Sequence, residues 1–200
     1  MSHAGVPARL LWVIDREAIE NGSVPRAIRG GVRWLHLRDR SIEPRMWLHQ
    51  LQAHDGVRVV VNGGPPWALE AGWGAHLKVV QPAPQHAQRA AWSLLGRSVH
   101  DAGETRTALL DRPDYLVAGP VFPTASKPDH TGIGLEGLRR IVAASEGCPV
   151  LAIGGIHAGH VDEIGRAGAH GVAVRSGITA AADPAAAAAD YLKALPVDPG

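Results

Sequence analysis

The chain is poor in cysteine. Cys148 stands alone among 200 residues, so no internal disulfide can form, and a reducing compartment suits it. It also lacks a charge surplus: 20 Lys+Arg face 19 Asp+Glu, a net charge of +1, with no basic run. The electrostatic footprint of a nucleic-acid binder is therefore missing. No apolar run is long enough to span a membrane. The opening MSHAGVPARLLWVID has neither the apolar core nor the cleavage site of a secretory leader. These absences imply a cytoplasmic protein with no nucleic-acid or membrane partner.

Hydrophobic residues make up 46% of the chain, enough for one sizeable core. Short apolar runs alternate with helical stretches. The runs fall at 10–15 (LLWVID), 34–39 (WLHLRD), 58–62 (RVVVN), 74–79 (GAHLKV), 94–100 (LLGRSVH), 115–122 (YLVAGPVF), 149–153 (PVLAI) and 171–175 (GVAVR). Most are Val-, Ile- and Leu-rich, as strands buried on both faces of a parallel sheet must be. Helices are expected at 19–30, 43–54, 66–71, 85–92, 101–111, 135–145 and 184–195, with Asp101 as an N-cap. An open doubly wound sheet shows the same alternation. Eight units ending in two glycine turns favour the closed form, a single-domain α/β (β/α)8 TIM barrel. The expected domain is 1–200, with the barrel at about 10–195 and a frayed tail at 196–200.

In such a barrel the chemistry sits at the carboxyl ends of the strands. The last two ends carry Gly154-Gly155 and Ser176-Gly177, turns that let a backbone approach an anion. Gly155, Ser176 and Gly177 are thus candidate phosphate binders, although simple tight turns have the same composition. The other ends offer His36, Arg38 and Arg40, then Asn62, His76 and Lys78, then Ser98 and His100. A long polar loop at 123–134 adds Thr124, Ser126, Lys127 and His130, placed where a lid would close. His76 reads equally as a satisfied interior histidine, and Arg38 as an ion-pair partner of Asp15 or Asp39. The set is polar, basic and almost free of carboxylates, which suits an anionic ligand held without a metal.

WLHLRDR at 34–40, LLGRSVH at 94–100, DYLVAGPVFPTASKP at 114–128, VLAIGGI at 150–156 and AGAHGVAVRSGI at 167–178 resemble one known group. It is the thiamine-phosphate synthase and thiazole tautomerase superfamily. The resemblance covers nearly the whole chain. It implies a thiamine-biosynthetic TIM barrel, a homodimer or larger homo-oligomer, with a thiazole phosphate seated on the last two turns. The synthase branch joins a pyrimidine pyrophosphate to the thiazole phosphate and uses Mg²⁺. Its ligands are an Asp directly after the strand-3 Asn and another beyond the strand-4 His. Gly63 and Gln81 stand there in this chain. The tautomerase branch aromatises a thiazole phosphate carboxylate by a metal-free proton shift. Some of its members place a histidine after the strand-6 glycine, where this chain has Pro120.

The missing carboxylates favour the tautomerase, an isomerase with no cofactor. His100 is then the first candidate for the proton carrier, followed by His130 and His36. Arg38, Asn62 and Ser98 would hold the ring and its carboxylate, while Thr124, Ser126 and Lys127 close over the phosphate. The alternatives are a synthase with a changed Mg²⁺ site and a non-catalytic thiazole-phosphate-binding regulator.

Overall fold

In the computed structural model, residues 6–39, 51, 54–82, 86–124 and 131–196 are described. Their eight strands are β1 (Leu10–Ile14), β2 (Trp34–Leu37), β3 (Arg58–Asn62), β4 (Gly74–Leu77), β5 (Leu95–Val99), β6 (Tyr115–Ala118), β7 (Val150–Ile153) and β8 (Gly171–Val174). All neighbours pair in parallel, and β8 returns to β1 through Leu10↔Val172, so the barrel is closed. The expected TIM barrel is the observed fold.

Period-two alternation sends one set of side chains inward and the other out to the helices. Leu11, Val13, Trp34, Val60, Tyr115, Val117, Leu151 and Ala173 form the inner cluster. Trp34 and Tyr115 meet edge to face with ring centroids 4.6 Å apart. Two glycines make room for inner side chains. A Cβ on Gly96 would lie 2.1 Å from the Tyr115 ring, and one on Gly74 would lie 2.7 Å from Val60. Large and small residues therefore compensate across the barrel, as close packing requires.

Several expected boundaries shift for local reasons. The single helix expected at 19–30 is two helices, Arg16–Glu20 and Ser23–Arg29. Asp15 caps the first by accepting from the Ala18 N–H at 3.2 Å, three residues earlier than expected. Gly22, at φ 71°, breaks the chain between them. The strand expected to run to 122 stops at Ala118, because Pro120 has no N–H to continue the ladder. The seventh unit carries a 3₁₀ turn, Ala158–His160, followed by the helix Val161–Arg166. A further short helix, Ser176–Thr179, follows β8. The terminal helix is Pro184–Ala194, capped by Asp183. The helix expected at 43–54 lies almost entirely outside the described residues.

Candidate active site

A cavity of about 1150 Å³ opens at the carboxyl ends of the strands. Its wall carries His36 and Arg38 beyond β2, Asn62 at the end of β3, and His76 and Lys78 from the β4 side. Ser98 and His100 come from β5, and Thr124 from the loop after β6. Gly154 and Gly155 follow β7, while Ser176 and Gly177 follow β8. Nine of the sequence-derived candidates thus share one space: His36, Arg38, Asn62, Ser98, His100, Thr124, Gly155, Ser176 and Gly177. The other three, Ser126, Lys127 and His130, lie outside the described residues, as does Arg40. Among the described residues one carboxylate, Glu17, lies on the wall.

The two glycine turns are built differently. Gly154 and Gly155 have φ of 103° and 64°, which disfavours any other residue there. Crowding matters too: a Cβ on Gly155 would lie 2.5 Å from the Pro123 carbonyl, and one on Gly154 would lie 2.5 Å from Pro120. The β7 turn is thereby pressed against the loop after β6. Ser176 instead starts the helix Ser176–Thr179, whose first N–H groups have no intrahelical acceptor. Gly177 leaves room for Tyr191, since a Cβ there would lie 2.2 Å from its hydroxyl. That hydroxyl donates to the Ile156 carbonyl at 2.8 Å and ties the terminal helix to the β7 loop.

Charge is arranged in pairs around this space. Arg175 donates to the Asp15 carboxylate through Nε at 2.9 Å and also through Nη2. Asp15, one of the two partners considered for Arg38, is therefore joined to the residue that follows the last strand. Behind the β4 loop, the buried Arg97 donates to the Lys78 and Gln81 carbonyls at 2.7 and 2.9 Å. Its Nη2 lies 2.6 Å from Asp111, and both side chains are almost fully enclosed. One buried pair thus pins the loop that carries Lys78 into the cavity wall.

The histidines divide into two kinds. His100 is half-exposed and held by Glu104, whose Oε2 meets its ring at 2.9 Å and its backbone N–H at 2.7 Å. His36 and His76 are buried, with ring centroids 4.5 Å apart. Desolvation, assisted by the Arg38 and Arg97 charges, lowers the His76 pKa to about 3. Burial, with His76 and Arg38 nearby, also holds His36 well below its ordinary value. Both rings are neutral at pH 7. His76 is bonded at both nitrogens, to Tyr115 Oη at 3.1 Å and Ser98 Oγ at 2.9 Å. It is at once a satisfied interior histidine and part of the cavity wall. Tyr115 was absent from the sequence-derived candidates; Gly96, a glycine in mid-strand, was the available signal that something occupies its space.

This geometry can be set beside known proteins. The family model described as thiamine monophosphate synthase matches residues 10–178. The chain belongs to the thiamine monophosphate synthase family. A thiamine-phosphate synthase of Chloroflexus aurantiacus is 35% identical, with 98% of this chain and 96% of that protein aligned. The protein of the same name from Thermus thermophilus is 35% identical over 82% of each chain. Among solved structures, a thiamine phosphate pyrophosphorylase from Pyrococcus furiosus aligns with a TM-score of 0.77 and 31% identity, covering 93% of this chain and 95% of that one. A 3-hexulose-6-phosphate synthase from Salmonella typhimurium, 14% identical at a TM-score of 0.72, shares the fold.

These likenesses correct the functional expectation. The chain was expected to be a tautomerase, an isomerase, because two carboxylates are missing from its strand ends. Relatives matching over most of its length are named synthases, and the transferase alternative takes precedence.

Proposed function

We propose that the protein is a transferase of the thiamine-phosphate synthase type, joining a pyrimidine carried on pyrophosphate to a thiazole phosphate. The observation that supports this reading is the similarity to proteins of that name along nearly the full chain. In it, the N–H groups of Gly155, Ser176 and Gly177 hold the thiazole phosphate, beside Thr124. Arg38, Asn62 and Ser98 face the pyrimidine pyrophosphate from the opposite strands. His100 and His36 serve as cavity walls, because this transfer does not call for the proton carrier that a tautomerase needs. One domain over residues 1–200, a cytoplasmic setting and a homodimer or larger assembly belong to the same proposal. Among the described residues no helix is long and apolar enough to cross a membrane.

Magnesium, implied by the resemblance, would neutralise charge on the departing pyrophosphate. The donors at the ends of β3 and β4 do not fit it. Mg²⁺ takes hard oxygen ligands, commonly one or two carboxylates with substrate phosphates. Gly63 has no side chain, and its Cβ position would lie 3.5 Å from the Gln81 amide nitrogen. The Gln81 side-chain oxygen already accepts from the Lys78 N–H at 2.8 Å. No group of three or more His, Cys, Asp or Glu able to hold a metal occurs among the described residues. This donor set favours a second reading, a barrel that binds thiazole phosphate and has no transferase turnover.

The two readings part in one assay. The protein is incubated with the pyrimidine pyrophosphate and the thiazole phosphate, with and without Mg²⁺, while thiamine phosphate and released pyrophosphate are followed. Equal amounts of both products are expected. Saturable thiazole phosphate binding with no product in either condition would overturn the transferase and leave the binding protein.

A further inference from the structure

From the cavity wall inward runs a row of three hydroxyl and imidazole groups whose hydrogen-bond directions follow from burial. Tyr115 is fully enclosed, and its hydroxyl lies 3.1 Å from His76 Nδ1. His76 Nε2 lies 2.9 Å from Ser98 Oγ. Ser98 is half-exposed and reaches the cavity, whereas the other two are buried. Only one order of donors leaves every buried group paired. If His76 carried its proton on Nδ1, it would donate to the phenol oxygen, and the Tyr115 O–H would point into apolar packing without an acceptor. An orphaned buried hydroxyl is costly. If His76 carries its proton on Nε2, Tyr115 donates to Nδ1 and Nε2–H donates to Ser98. The Ser98 proton is then left over, and Ser98, which lines the cavity and is not fully buried, can turn it toward that space.

We propose that Tyr115 and His76 are positioning residues that fix the polarity of Ser98, so that Ser98 presents its O–H to the cavity as a hydrogen-bond donor. Three further features agree. Gly96 leaves the space in which the bond forms: a Cβ there would lie 2.4 Å from the Tyr115 hydroxyl and 2.5 Å from His76 Nδ1. Burial, reinforced by Asp114, keeps the phenol protonated and hence a donor. Burial beside Arg38 and Arg97 keeps His76 neutral, so it cannot donate from both nitrogens. The consequence is selectivity for an acceptor atom, such as an oxyanion, at that point of the wall. Naming that acceptor as a pyrophosphate oxygen rests on the transferase reading; the polarity of Ser98 does not.

The test begins with the full-length wild-type protein labelled with ¹⁵N at histidine. Long-range ¹H–¹⁵N spectra report which ring nitrogen is protonated, and the His76 signals are identified by their loss in His76→Gln. An Nε2–H pattern is expected. An Nδ1–H pattern, or an average of both, overturns the proposal whatever reaction the protein catalyses. The second arm measures inorganic pyrophosphate binding by calorimetry. Tyr115→Phe removes the donor but keeps the ring, and Ser98→Ala removes the final hydroxyl. Each is expected to weaken binding about tenfold, the scale of one lost hydrogen bond. The double variant should lose no more than either alone. Additive losses, or unchanged binding in Tyr115→Phe with its melting transition retained, would also overturn it.

Discussion

Acid should destabilise this protein earlier than its carboxylates alone would dictate, because two neutral histidines are locked into the barrel. The perturbation is a fall from pH 8 to pH 5. An unfolded histidine titrates at about 6.5, so it takes up a proton across that interval. Folded His76, held down to about 3 by burial, does not. The unfolded state then binds more protons than the native one, and stability falls with pH. The sign is that of a depressed histidine: its neutral form supports the fold fully above 6.5, and the support is lost progressively below it. One proton over the interval amounts to about 2 kcal/mol for His76. His36, also depressed by burial, adds in the same direction. The assay is urea denaturation at half-unit pH steps, comparing wild type with His76→Asn. The variant is less stable at pH 8, but its curve should be flatter by about 2 kcal/mol over the interval. Parallel curves would show that His76 titrates normally in the fold and would refute the reasoning.

Three other outcomes follow from the site. Asp111→Ala strands the enclosed Arg97 guanidinium, so chemical denaturation should show a loss of about 3–5 kcal/mol, against under 1 for the exposed Glu136→Ala. Gly155→Ala imposes a positive φ and a clash with the Pro123 carbonyl; calorimetry should show thiazole phosphate binding weakened by about tenfold or more, and unchanged affinity would refute a role for this turn. Ligand-free protein should show no rise in melting temperature with millimolar Mg²⁺. The Gly63→Asp, Gln81→Asp double variant places two carboxylates within reach of one ion and should gain such a rise.

The barrel was legible because its signal is local and repeated. Each strand is a short apolar run, and each depends on the same two-faced burial, so errors at individual boundaries leave the count of eight intact. The errors themselves are local chemistry out-competing periodicity. Asp15 captures the Ala18 N–H and starts a helix early, and Pro120 ends a strand that is apolar beyond it. The convergence of the candidate site residues was legible for a related reason, since polar side chains at strand ends must gather on one face of a closed parallel barrel. Function was less legible. Gly63 and Gln81 drew the expectation toward a proton-shift enzyme, although a relative 35% identical over 98% of this chain is named a synthase.

The sequence by itself therefore determined the architecture, the family and the face on which the candidate site residues converge. Alternation of burial and strand-end glycines are properties of neighbours along the chain. Partner choice was decided only by tertiary structure. Asp15 meets Arg175 from 160 positions away, Arg97 reaches back to the Lys78 and Gln81 carbonyls, and Tyr115 finds His76 through the gap left by Gly96. Each of these groups had several possible partners in the sequence. Burial selected among them, because a polar group removed from water must bond to whatever the closed barrel places beside it.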